Sequence, residues 1–299
     1  MKINRPRMQQ GLTRLSLTKK AVAETSDHYC GGSAPLPEIK MADVIAMRKP
    51  LDPRYFANAE LQRQAPKAFA LMPEAAEFHK NHDNTAERAA LAEALRKYPQ
   101  LKQFESLTWE QKEPLLRQVF ATECEVLKMT PPELVIENGA IPGPAFFEFD
   151  PDNPTPGKVF LNPEVLGKMD NGYAPLLLLI HETRHSAQFQ SAFSGSEGPV
   201  AEGFRAAYRA QKELKGFSFV DFTTLLNEYE AFQFANGVVE LITDGKVNTV
   251  GMGTLAGQFS DRGNLKTDLK VLFEELPHEA ILDVFNELER PHYEERQKG

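Results

Sequence analysis

The chain has 299 residues, enough for one large core or two smaller domains, and its apolar and charged fractions are those of an ordinary soluble globular protein. Its net charge of −8 argues against nucleic acid or an anionic membrane surface as the main partner, because both bind clustered positive charge. The longest apolar run, residues 174–180, is too short for a membrane span, and Cys30 and Cys124 lie too far apart for a metal or redox motif.

The first 20 residues differ from the rest of this acidic chain, because they contain basic side chains and no acidic ones. Glycine- and proline-rich sequence follows, so we expect residues 1–40 to form a disordered basic arm. No apolar core of a signal peptide is present, which predicts a cytoplasmic protein. A basic leader without acidic residues is also typical of segments that export systems recognise, and both interpretations stay open.

Residues 41–129 are predicted to be a helical N-terminal region. Apolar residues recur at helical spacing in residues 66–80 and 85–98, and Asn84 and Thr108 stand where helix N-caps are expected.

Two histidines in this region lie three residues apart. His79 and His82 stand among charged and polar neighbours, which predicts a solvated helix end rather than a metal site. No chemistry is therefore predicted for residues 41–129.

Three short strands are predicted after this region, at residues 134–136, 145–149 and 158–161, separated by turns rich in glycine, proline and aspartate. An exposed edge strand beside a catalytic site can bind an extended substrate through main-chain hydrogen bonds. The strand at residues 146–149 and the strand at residues 158–161 are both candidates for that edge.

A His-Glu-x-x-His motif follows the strands. His181 and His185 lie four residues apart, so on a helix both imidazoles face one metal ion, and Glu182 is placed to act on a metal-bound water as general base. The apolar run at residues 176–180 covers every face of the helix and predicts that it is buried. Gln188 lies on the same side, and burying these polar groups without a metal would be costly.

A zinc site of this type needs a third protein ligand. A later helical pattern at residues 222–242 carries Glu228 on its apolar stripe, where a carboxylate is costly unless a cation lies beside it. Glu230 falls on the opposite side, which is predicted to be solvated. Glu202, in an intervening helix, is the competing candidate. The prediction favours Glu228. The stripe consists of Leu225, Glu228, Phe232, Ala235, Val239 and Ile242.

The two motifs together resemble the gluzincin metallopeptidases, whose second motif often reads Glu-x-x-Ala-(Asp/Asn)-x-Phe-Ala. The match is at Glu228, Ala231, Phe234 and Ala235. In that family the first glutamate of the motif is a metal ligand, in agreement with the stripe. The chain departs from the pattern at Phe232, where relatives carry an acid or amide that orients a ligand histidine, so this supporting role is predicted to be unfilled.

The resemblance implies an α+β fold, mostly helical, with a small β-sheet packed on a zincin-type metal-binding helix core. Residues 130–299 are then the metallopeptidase domain and end in two helices, at about residues 265–275 and 278–288. The implied activity is hydrolysis of a protein or peptide substrate, with Zn²⁺ bound by His181, His185 and Glu228 and with Glu182 as general base.

One further group is needed in such a reaction, because a donor must stabilise the oxyanion. Residue type alone offers candidates for this donor: Tyr208, Arg205, Tyr229 and His278.

Three alternatives stay open. A zincin-like protein can bind zinc or a peptide without cleaving it, an interpretation that Phe232 favours. The same groups can hydrolyse a non-peptide amide, and a helical interaction protein can carry the motif by chance.

Overall fold

The computed structural model describes residues 59–70, 72–214 and 224–247. The predicted arm at residues 1–40 and the two predicted C-terminal helices lie outside the described residues, as does His278. The division into regions at residue 130 stays a prediction.

The described residues form a mostly helical α+β fold, which confirms the predicted fold class. The helices are α1 (Ala59–Gln64), α2 (Ala76–Asn81), α3 (Thr85–Leu95), α4 (Trp109–Val126), α5 (Pro163–Leu166), α6 (Ala174–Phe193), α7 (Pro199–Glu213) and α8 (Leu226–Ile242). The strands are β1 (Glu133–Ile136), β2 (Ala145–Glu148) and β3 (Lys158–Leu161). Within these ranges, no helix combines the length and the apolar character that a membrane crossing requires.

The sheet has the strand order β1-β3-β2, in which β3 pairs parallel to β1 and antiparallel to β2. All three strands lie within one residue of their predicted bounds. Because β3 is central, its main chain is paired on both sides and it cannot be a substrate-binding edge. Of the two candidate strands for the substrate-binding edge, only β2 therefore remains.

Helix α6 is the centre of the fold. Asn171 Oδ1 accepts a hydrogen bond from the N–H of Tyr173 at 2.9 Å, which forms the turn into the helix, and Pro175 stands at its start, where no N–H is needed. Every residue from Leu176 to Ile180 is at most 2 % exposed. The helix packs against α4, α7 and α8 and against β2 and β3, so the predicted burial is confirmed.

Helix α8 is the main neighbour of α6. The predicted apolar stripe is buried along its whole length, including Glu228. Burial also extends round the helix, because α3 and α7 pack on its other sides. Glu230 is 2 % exposed, so the predicted solvated position for this residue is wrong.

The segment before α3 is more broken than predicted. Residues 66–80 do not form one helix, because short 3-10 turns begin at Pro66 and at Pro73, and only α2 is α-helical. The predicted cap at Thr108 is confirmed, since its N–H donates to Gln111 Oε1 at 3.0 Å.

Two helical glycines give a matched test of how closely α7 packs against α2 and α8. A Cβ at Gly203 in α7 would lie 2.7 Å from Phe78 Cδ2 and 3.2 Å from Leu226 Cδ1, both in the core. A Cβ at Gly237 in α8 would meet the flexible Arg88 side chain, its nearest atom at 2.6 Å. We expect Gly203→Ala to reduce the free energy of unfolding by about 1–3 kcal/mol through overpacking.

Gly237→Ala serves as the control, because Arg88 can move aside and alanine favours a helix by up to about 1 kcal/mol. Urea denaturation of both variants measures the difference. Equal stability of the two variants would contradict the close packing of α7 against α2 and α8.

Candidate metal centre

Helices α6 and α8 bring together the three residues predicted to bind a metal. His181 and His185 lie on successive turns of α6, and their Nε2 atoms are 3.0 Å apart. From α8, Glu228 places Oε2 3.3 Å from His181 Nε2 and Oε1 3.4 Å from His185 Nε2. All three residues are buried, and each is at most 4 % exposed.

The spacing of these atoms fits a divalent ion of the size of zinc. With ligand bonds of about 2.0–2.1 Å and tetrahedral angles, neighbouring ligand atoms are separated by about 3.3 Å. The observed separations are 3.0, 3.3 and 3.4 Å. Glu228 Oε2 is also buried without a hydrogen bond among the described residues, which is the state expected of an atom whose partner is a metal ion. The donor set therefore fits the ion.

Glu182 lies beside this group rather than within it. Ligand-type atoms of His181, Glu182 and His185 all lie within 4.8 Å of one another. The carboxyl of Glu182 accepts a hydrogen bond from the N–H of Phe147 on β2. This contact places the carboxyl between the histidines and the edge strand.

A pocket opens next to these side chains, with about 410 Å³ of empty space when the open solvent at its mouth is included. Phe146, Phe147 and Phe149 line it on the side of β2, and Leu178 and Phe232 line it from the helices. The lining is mostly apolar, and its polar atoms are concentrated around the histidines and glutamates. A substrate in this pocket would therefore contact apolar side chains over most of its length and the histidines and glutamates at one place.

Electrostatic coupling is strong between His185 and Glu228. Burial alone would lower the pKa of His185, but the Glu228 carboxylate raises it to about 9. Burial alone would raise the pKa of Glu228, but the charge of His185 and the contacts with both imidazoles lower it to about 2. The pair is therefore ionised in the metal-free protein at neutral pH.

The other two groups are shifted mainly by burial. Burial, reinforced by the charge of His185, lowers the pKa of His181 to about 4. Burial also raises the pKa of Glu182 to about 8. A neutral His181 keeps a lone pair for a metal ion, and a carboxyl with a raised pKa has the proton affinity that a general base needs.

The outer side of His185 contacts two residues. Gln188 Oε1 lies 3.0 Å from His185 Nδ1, and the Tyr208 hydroxyl donates to the His185 carbonyl oxygen at 2.8 Å. Glu228 is supported separately, because Gln211 Nε2 donates to Glu228 Oε1 at 3.0 Å. One histidine and the glutamate are thus held by neutral amides.

His181 has a different environment. Its Nδ1 is buried and makes no hydrogen bond to any described residue. The ring of Phe232 packs on it, with ring centroids 3.9 Å apart. As predicted, Phe232 offers no polar group that could orient a ligand histidine, and His181 Nδ1 has no other such partner among the described residues. His185 Nδ1, in contrast, has Gln188 Oε1 beside it.

Glu230 forms a buried ion pair two residues beyond Glu228. Arg184 Nη2 donates to Glu230 Oε1 at 2.7 Å and also pairs with Glu87 at 2.8 Å. His82 Nε2 lies 3.0 Å from Glu230 Oε1, and Asn84 Nδ2 donates to the same oxygen at 2.7 Å. Burial would raise the pKa of Glu230, but the charge of Arg184 holds it well below its usual value.

These contacts correct two predictions about the N-terminal helices. His79 is 6 % exposed with Nε2 3.0 Å from the Ala70 carbonyl oxygen, and His82 contacts Glu230, so neither belongs to a solvated helix end. Asn84 stands at the predicted N-cap position of α3, but its side chain bonds Glu230 and makes no cap hydrogen bond. The sequence alone does not identify Glu230 as the partner of His82 and Asn84, because Glu230 lies on α8, far along the chain.

The competing ligand Glu202 is outside the centre. Its side chain is 53 % exposed and lies 3.4 Å from Lys67 Nζ. Of the described oxyanion candidates, Tyr208 lines the pocket, whereas Arg205 donates to the carbonyl oxygens of Ala192 and Ser196.

Gln211 was missed in the sequence, although a signal for it exists. Phe204, Ala207 and Tyr208 form a buried stripe on α7, and Gln211 continues that stripe at helical spacing. A polar residue on a buried stripe indicates a specific partner, here Glu228.

No protein-family model, no curated protein and no solved structure matches this chain. The fold and the site therefore define it by themselves as a mostly helical α+β protein with a buried His-Glu-x-x-His group and a nearby glutamate, residues of the type that could hold a metal ion.

The four pKa values predict how the stability of the metal-free protein depends on pH. Above pH 6.5, folded His185 and Glu182 keep protons that the unfolded chain has lost, since their folded pKa values are about 9 and about 8 against 6.5 and 4.5. Between pH 4.5 and 6.5, the extra proton on Glu182 is offset by the missing proton on His181. Below pH 4.5, Glu228 resists protonation, and stability falls towards pH 2.

We therefore expect the unfolding temperature, measured with a chelator present, to be higher at about pH 5.5 than at about pH 8.5. Glu182→Gln removes one of the groups responsible, so its unfolding temperature should fall less over the same interval. A higher unfolding temperature at the alkaline end for the unsubstituted protein would contradict the assigned shifts.

Proposed function

We propose that the protein is a zinc-dependent peptidase of the His-Glu-x-x-His type, in which His181, His185 and Glu228 bind the metal. The observation that carries the proposal is the convergence of these three buried side chains from α6 and α8, at separations that fit a tetrahedral ion. The resemblance of the two sequence motifs to the gluzincins supports the same assignment.

The proposed reaction uses Glu182 as the group that moves protons. Zinc, when bound, supplies a Lewis acid that polarises a carbonyl group and lowers the pKa of water. Glu182 takes a proton from the attacking water and delivers it to the leaving amine. Its buried position beside the histidines supports this role, because a dry surrounding raises its proton affinity.

The edge strand β2 supports a peptide rather than a non-peptide amide as substrate. Its pairing with β3 uses one side only, and the N–H of Phe147 on the other side reaches Glu182. An extended peptide that adds to this edge would lie over the polar group, with apolar side chains against Phe146 and Phe149.

One observation favours a second candidate, a zinc-binding protein that does not cleave peptides. His181 Nδ1 has no hydrogen bond to a described residue, and such bonds normally raise the basicity of a metal-bound histidine. The two candidates share the metal ligands and differ only in turnover.

Zinc content and proteolysis distinguish the candidates. We expect Glu182→Gln to retain stoichiometric zinc and to lose at least about a hundredfold in cleavage of an unfolded protein substrate, because the base is gone and the ligands remain. His185→Ala should lose both zinc and cleavage. Zinc is measured by elemental analysis after dialysis, and cleavage by the release of peptides.

Undiminished cleavage by the Glu182→Gln protein would contradict the assigned base. Stoichiometric zinc with no cleavage by the unsubstituted protein would instead support the non-cleaving candidate.

The third ligand can be tested by comparing two glutamates. Glu228→Gln replaces the charged ligand with a neutral amide of the same size, and we expect zinc affinity to fall by about a hundredfold or more. Glu202→Gln makes the same chemical change at the exposed position and should leave the affinity unchanged. Competition with a chromophoric chelator measures both. A larger effect at Glu202 than at Glu228 would overturn the ligand assignment.

A further inference from the structure

We propose that Gln188 is a positioning residue that holds a hydrogen on His185 Nδ1, so that Nε2, which faces Glu228, is the nitrogen that binds the metal ion. Gln188 is itself oriented by Glu230 and by the Asn227 carbonyl group. The inference rests on the proposed metal centre and assigns to the buried Gln188–Glu230 contact a part in setting its affinity.

The first step concerns the orientation of the Gln188 amide. Its Nε2 donates to the Asn227 carbonyl oxygen at 3.0 Å and to Glu230 Oε2. Both partners are oxygens that only accept: one is a main-chain carbonyl oxygen, and the other belongs to the Glu230 carboxylate, whose two oxygens both lie 3.1 Å from Arg184 Nε. The amide nitrogen must therefore face α8, and the amide oxygen must face the other way.

The second step follows for the histidine. Gln188 Oε1 lies 3.0 Å from His185 Nδ1 and 2.9 Å from the Tyr208 hydroxyl oxygen. An amide oxygen only accepts, so His185 Nδ1 must carry the hydrogen. A neutral imidazole with hydrogen on Nδ1 has its lone pair on Nε2, the atom nearest to His181 and Glu228.

The third step concerns what fixes Glu230. Arg184 Nε lies 3.1 Å from both carboxylate oxygens, Asn84 donates to Oε1 at 2.7 Å, and His82 Nε2 lies 3.0 Å from Oε1. These partners come from α6 and from the segment around α2 and α3. The carboxylate therefore cannot turn away from Gln188 without losing several charge-assisted hydrogen bonds.

Zinc affinity is the direct test. We expect Gln188→Met, which keeps the length and volume of the side chain but removes the amide, to weaken zinc binding about 10- to 100-fold. Gln190→Met is the matched control on the same helix, because its amide bonds Thr130 and Ser186 and does not contact the metal group. The control should bind zinc as tightly as the unsubstituted protein.

A spectroscopic readout separates positioning from packing. In the zinc-bound protein, the proton on His185 Nδ1 should give a downfield, slowly exchanging NMR resonance, because it is held in a hydrogen bond to Gln188 Oε1. We expect this resonance to shift and to exchange faster in Gln188→Met and to stay unchanged in Gln190→Met. A role in packing alone predicts the same resonance in all three proteins.

The outcomes distinguish this inference from the proposed function. Zinc binding that is equal in the unsubstituted protein, Gln188→Met and Gln190→Met would overturn the positioning role and leave the metal centre intact. An unchanged His185 Nδ1–H resonance in Gln188→Met would overturn it as well. Absence of zinc binding by the unsubstituted protein would overturn the metal centre first. Circular dichroism and thermal unfolding of each metal-free variant identify those that are folded.

Discussion

The burial of two imidazoles and a carboxylate between α6 and α8 is the constraint on which the structure depends. His181, His185 and Glu228 are each nearly inaccessible to solvent, and the two imidazole nitrogens face each other at 3.0 Å. Removing such groups from water costs several kcal/mol unless charges or hydrogen bonds compensate. In the metal-free chain, ionisation of His185 against Glu228 compensates part of this cost, and Glu228 Oε2 still lacks a hydrogen bond among the described residues. A divalent cation would give a partner to Glu228 Oε2 and to the two imidazole nitrogens that face each other.

The polar contacts around this group follow from the pairing of the same two helices. Arg184 and Gln188 lie on α6 on either side of His185 in sequence, and both contact Glu230 on α8. The ion pair therefore joins α6 to α8 next to the level at which Glu228 lies opposite the histidines. Helix α7 adds Tyr208 and Gln211, which bond His185 and Glu228 respectively. A buried ion pair is rarely a large net source of stability, so its value here lies in the arrangement it selects.

Features that depend on local spacing were predictable from the sequence, and features that depend on distant partners were not. The four-residue spacing of His181 and His185, the apolar run before them and the three strands are local, and the structure agrees with them. Glu228 was identifiable because an acid on an apolar stripe is anomalous. The solvated position predicted for Glu230 is wrong because its burial depends on Arg184 and on α3, and the periodicity within α8 shows neither. The solvated helix end predicted at His82 is wrong for the same reason, since its partner Glu230 lies on a helix far along the chain.

The N-terminal helices therefore have a chemical role that their own sequence does not show. His82 and Asn84 contact Glu230, and Glu87 on α3 pairs with Arg184, so each end of the α6–α8 ion pair is held by the segment around α2 and α3. Apolar residues of this segment also pack in the same core cluster as α6 and α8. Because Glu230 contacts Gln188, and Gln188 contacts His185, a chain of hydrogen bonds connects the segment around α2 and α3 with the candidate metal centre. The geometry of the centre is thus set by side chains from α2–α3, α6, α7 and α8 together, and the His-Glu-x-x-His motif supplies only the innermost of them.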